Sequence, residues 1–151
     1  MAKAAKKGLK PLIRLTKFTV DEKRRALTAW QDAEDQVLAQ IQATDQQLLH
    51  EQQVASQDPT VAYLFPAFLA QWKNRRQALE NQLAAVRHEL ELARDALSEA
   101  FRELKTYEVT QANREKRERE ELERKEQIFL DEIGQNTHLR RKAEDEAEAN
   151  D

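Results

Sequence analysis

His50, His88 and His138 are the side chains best suited to acid–base or metal chemistry near neutral pH. Zinc sites and base–nucleophile pairs need such groups to converge, and the helical register deduced below keeps these three far apart. They are expected to face solvent. Adjacent carboxylates such as Glu120 and Glu121 offer a second route, acid–base work by a pair with divided pKa values. Basic neighbours neutralise that face, however, and nothing separates the two. Phosphate-cradling loops need clustered glycines, and the two here stand alone at positions 8 and 134. The absence of cysteine removes thiolate nucleophiles, thiolate metal sites and disulfides. These residues predict no catalytic centre, no metal and no cofactor, and a protein that acts by binding other proteins.

The composition points to few, long helices. Charged residues make up 35% of the 151 and glycine contributes only 2, so straight-chain helix formers dominate and turn formers are scarce. The 25 basic and 28 acidic residues are interleaved, which predicts a mixed surface and no nucleic-acid partner. The basic start (Lys3, Lys6, Lys7, Lys10) is followed by an apolar run cut at Arg14, unlike a signal peptide. No stretch approaches the ~20 apolar residues of a membrane span. The expectation is a cytoplasmic protein without direct membrane insertion.

The expected fold is all-α: a long two-stranded antiparallel coiled-coil hairpin over residues 11–140 with a charged helical C-terminal overhang. Residues 1–10 are read as a flexible basic N-terminus. Helix 1 is expected at about 11–56, since Pro11 suits a first turn. Its seam runs through Ile13, Val20, Leu27, Trp30, Val37, Ile41 and Leu48, with Thr16, Lys23, Glu34, Thr44 and Glu51 as polar interruptions. Ser56-Gln57-Asp58-Pro59-Thr60 places a bend at about 57–65. Helix 2 follows at about 66–138, with Leu69, Trp72, Leu79, Leu83, Val86, Leu90, Ala93, Leu97, Ala100, Leu104 and Tyr107 alternating four and three apart. A short connection makes the helices antiparallel, so facing residues have numbers adding to about 120. Thr44 then meets the other interruption, Arg76. Beyond about residue 111 helix 2 has no partner. Glu115/Arg119, Glu120/Arg124 and Glu121/Lys125 give that stretch i,i+4 pairs worth ~0.2–0.5 kcal/mol each. Gly134 reads as a C-cap, and residues 141–151 as an acidic disordered tail.

Two apolar features exceed what a hairpin needs. The cluster Tyr63, Phe65, Phe68 and Trp72 at the bend is either a set of binding anchors or a cap folded over the hairpin end. The island Ile128, Phe129, Leu130 and Ile133 is either a docking segment, an i,i+4 patch on a frayed helix end, or a patch packed on Leu9, Leu12 and Leu15.

The stretch Leu12 to Arg25, the bend with Tyr63, Phe65 and Phe68, the run Ala96 to Lys105, the Glu/Arg-rich helix after it, and Gln127 to Glu132 together resemble the FliJ family of flagellar type III export proteins. The resemblance covers roughly residues 10–142. It implies a central stalk, similar in shape to that of rotary ATPases, whose terminal ends enter and stimulate a hexameric flagellar export ATPase. Ile128, Phe129 and Ile133 would dock there. It also implies contact with the export gate membrane protein through a surface near the bend, at Phe65, Phe68, Trp72, Arg75 and Leu79, and an association with export chaperones. Such a protein would sit peripheral to the inner-membrane export apparatus. A generic coiled-coil scaffold and a helical-hairpin export chaperone fit the heptads too, as does the injectisome counterpart of the stalk.

Overall fold

The computed structural model describes residues 9–149. Among them the chain forms two long helices and no strand: α1 (Leu9–Gln57) and α2 (Phe65–Glu148), joined through a single 3-10 turn at Ala62–Leu64. The fold is an all-α helical hairpin. Its described residues divide into two compact units, one of residues 11–105 and one of residues 106–149 with Leu9 and Lys10.

Pro11 lies in the first turn of α1, which begins two residues earlier than the sequence predicts. Its missing N–H costs nothing there, because first-turn amides have no helical acceptor. Residues 1–8 of the expected flexible N-terminus lie outside the described residues. At the bend α1 ends with the Asp58 amide donating to the Val54 carbonyl at 3.0 Å. Asp58-Pro59-Thr60-Val61 then turns the chain, the Val61 amide donating to the Asp58 carbonyl at 3.3 Å. Aspartate first and proline second suit a type I turn, and the Asp58 carboxylate reinforces it by accepting from the Thr60 amide at 2.9 Å and from the Thr60 hydroxyl.

The core of unit 11–105 is a single seam. Val20, Val37, Leu79, Val86, Leu90, Ala100 and Leu104 are its buried apolar residues, with Val20, Ala100 and Leu104 in one cluster that Ile13 and Leu97 flank. The register follows the expected rule. Arg76 Nε lies 3.0 Å from Asp45 Oδ1, and Arg87 Nε donates to Glu34 Oε1 at 2.8 Å. The polar interruptions are accommodated in two ways. Thr16 and Thr44 are buried, each returning its hydroxyl proton to the carbonyl four residues back, Leu12 at 2.8 Å and Gln40 at 2.7 Å, so only the methyl group needs an apolar partner. Glu34 and Arg76 lie at the seam's edge, where Glu34 pairs with Arg87 and Arg76 with Asp45. The Arg76–Asp45 contact is an ion pair whose angle makes no aligned hydrogen bond, and Arg76 Nη1 also lies 3.4 Å from Glu80.

In the second unit α2 does not stop where the sequence predicts. It runs through Gly134, past residue 138, and through residues 141–148, expected to be a disordered acidic tail. Asn150 and Asp151 lie outside the described residues. A glycine caps a helix by taking a positive φ, and Gly134 does not. Further on, Arg140 to Glu148 are strong helix formers apart from Asp145, with Lys142 and Glu146 paired at 4.0 Å. Of the expected ion pairs, Glu115 accepts instead from Gln111 Nε2 at 2.8 Å, and Glu120 faces Lys116 at 3.9 Å. Every described residue from Arg119 to Ala149 is exposed.

Candidate docking surfaces

At the bend, Phe65 and Phe68 stand one turn apart at the start of α2 and stack with centroids 6.3 Å apart and planes 29° from parallel. They line a cavity of about 240 Å³ with Val54, Ala55, Val61, Leu64 and Glu51, apolar apart from that one carboxylate. Tyr63 and Leu64, carried on the 3-10 turn, are 75% and 53% exposed. The cluster is therefore divided. Its α2 members are half-buried around the cavity, while Tyr63 points away from any cover.

Trp72 is half-buried and donates from Nε1 to the Thr44 carbonyl at 3.0 Å, which ties it to the seam. A second cavity, about 110 Å³, lies beside it between Gln47, Gln71 and Arg75. Of the five residues the family resemblance groups as gate-facing, Arg75 is exposed and Phe65, Phe68 and Trp72 are half-buried. Leu79 is 7% exposed and belongs to the seam, so it supports that surface from beneath and presents none of its own.

In the second unit Ile128, Phe129, Leu130 and Ile133 are 54%, 62%, 60% and 46% exposed. At ~100° per residue they do not form one stripe. Phe129 and Ile133 share a face, Ile128 lies about 100° from Phe129 on one side, and Leu130 about 100° from it on the other. Two exposed residues not singled out from the sequence extend these faces, Leu122 along that of Phe129 and Leu139 along that of Ile128. Their seven- and eleven-residue offsets could have found them, but the surrounding charge hides the pattern. A small cavity of about 220 Å³ sits beside Ile133, against Asn136, Thr137 and Arg140.

Among the described residues no group of histidines and carboxylates could hold a metal ion, and no helix is long and apolar enough to cross a membrane. His50, His88 and His138 are exposed. Asp58 is held below the ordinary aspartate value first by the Thr60 hydroxyl and then by the Thr60 amide.

A protein-family profile described as "Flagellar FliJ protein" matches residues 6–143, essentially the whole chain. No curated protein and no solved structure matches.

Proposed function

This chain belongs to the flagellar FliJ family, a non-catalytic component of the flagellar export apparatus, and from that premise we propose that it is a stalk that binds and stimulates the hexameric export ATPase and links it to the export gate. The observation that carries this is the island at Ile128 to Ile133, whose apolar residues look out in several directions from one exposed helix. A one-sided groove would cover one face and leave the rest wet. A partner that surrounds the helix, as a ring does, covers them all. A helix inside a six-fold ring meets different subunits with different faces, and so favours different conformations in them, which is a physical route to stimulating turnover.

The bend supplies the second contact. Its cavity, stacked phenylalanines and exposed Tyr63 suit an apolar anchor from the gate protein, with Arg75 at the margin. Export chaperones are a third class of partner. The protein carries out no chemistry itself and works in the cytoplasm, peripheral to the inner membrane.

Two variants test this. Ile128→Ser, Phe129→Ser and Ile133→Ser together should abolish capture of the export ATPase and leave capture of the gate protein's soluble domain intact. Phe65→Ala with Phe68→Ala should do the reverse. Trp72 is left alone because of its seam hydrogen bond. If either variant loses both partners, or neither loses any, the two-ended stalk is wrong.

A further inference from the structure

The whole-chain charge hides where the charge lies. The first 25 residues contain nine lysines and arginines against two acids, a net charge of +7, and the remaining 126 carry −10. The even mixing expected from the totals does not hold at this end. Within α1 the basic stretch also carries two large apolar residues that the seam does not use, Leu15 at 62% exposure and Phe18 at 55%. At ~100° per residue Phe18 lies roughly opposite Ile13, Thr16 and Val20, on the face turned away from α2. Arg14, one turn earlier, and Arg25, two turns later, share that outward face and are exposed. Asp21 at its edge lies 3.7 Å from Arg24, which offsets its charge, so Glu22 is the acid left beside Phe18.

We propose that this outward face of α1, centred on Phe18, binds an anionic phospholipid surface. The guanidinium groups of Arg14 and Arg25 take headgroup phosphates while Phe18 and Leu15 enter the boundary between headgroups and acyl chains. Basic side chains alone would suit any polyanion, and the uncovered Phe and Leu between them decide the class. They stand on a convex helix face, and neither lines the nearest cavity, about 240 Å³ between Lys17, Val20, Asp21, Arg24, Phe101 and Leu104, which opens on the flank towards α2, so a peptide would find no cleft around Phe18 itself. A soft planar surface needs none. The helix is too polar to cross the bilayer and would lie along it. The site is independent of Ile128, Phe129 and Ile133, so its failure and that of ATPase docking are separable.

The full chain is sedimented with vesicles of phosphatidylcholine alone and with vesicles rich in phosphatidylglycerol, in low and high salt. Binding is expected to the anionic vesicles only, weakening as salt rises. Each basic side chain at such a surface is worth roughly fivefold in partitioning, so Arg14→Gln with Arg25→Gln should weaken binding on the order of twentyfold. Phe18→Ser should weaken it about tenfold by removing an inserted ring. These positions are exposed, so tryptophan fluorescence should be unchanged, and the triple serine variant at 128, 129 and 133 should bind vesicles like the parent chain. The proposal is overturned by equal binding to neutral vesicles or by variants that bind unchanged. It is also overturned if Phe18 controls self-association, or if duplex DNA or an acidic peptide outcompetes the vesicles.

Discussion

Leu90→Ala should destabilise the unit at 11–105 by about 2–3 kcal/mol, and Leu130→Ala should leave it within about 0.5 kcal/mol of the parent. Leu90 is 4% exposed in the seam, whereas Leu130 is 60% exposed. The change deletes three carbons, about 2.4 kcal/mol at ~0.8 kcal/mol for each buried group. A two-helix seam has solvent on both flanks and relaxes into the gap, so the cavity penalty is small and the total stays near the lower end of the ~2–5 kcal/mol range. The melting temperature should fall by roughly 10–20 °C. The assay is urea unfolding read by tryptophan fluorescence, because both tryptophans, Trp30 and Trp72, lie in unit 11–105. Circular dichroism would mix in the helix beyond residue 105. Equal shifts of the fluorescence transition by the two variants would refute the reasoning, since residue 130 would then belong to the same buried core.

Gly134→Ala should stabilise α2 locally by about 0.5–1 kcal/mol, because Gly134 is helical at negative φ and an added Cβ meets nothing within 4 Å. It should appear as added helical ellipticity without a change in tryptophan fluorescence, and a loss would mean that the glycine is needed as a break. Asp58 should titrate below the ordinary aspartate value by NMR, and Thr60→Val should raise its pKa. Since the folded pKa is the depressed one, its contribution is present above the unfolded value and is lost as pH falls through the folded one; Asp58→Asn should flatten that acid limb of the bend's stability. Cysteines replacing Val20 and Ala100, neighbours in one core cluster, should cross-link within a single chain. Cross-links only between chains would replace the hairpin with an oligomer.

The seam was legible in the sequence because its information is periodic. Each position of α1 constrained one on α2, and the ion pairs Arg76–Asp45 and Arg87–Glu34 fall within one residue of the expected register. Polar residues in that pattern looked like defects, and only atomic geometry shows that threonine satisfies its own hydroxyl while Glu34 pairs across the seam. Single residues misled where the period gave no help. Gly134 resembles a stop, yet the flanking helix formers outweigh the ~1 kcal/mol cost of one glycine. The acidic end looked too charged to order, and its lysines and arginines at helical spacing offset that. Leu79 shows the limit of position matching, since its place near the bend suggested a surface while its place in the heptad put it in the core.

The central claim is that an apolar island on the solvated C-terminal stretch of α2 drives a partner ATPase. It is tested most directly by the ATP hydrolysis rate of the purified cognate export ATPase, titrated with this protein and with its Ile128→Ser, Phe129→Ser, Ile133→Ser variant. The account predicts a saturable rise in rate with the parent chain and none with the variant, whose tryptophan fluorescence and urea midpoint are unchanged. A rate that does not respond to the parent chain, or that rises equally with the variant, would contradict it.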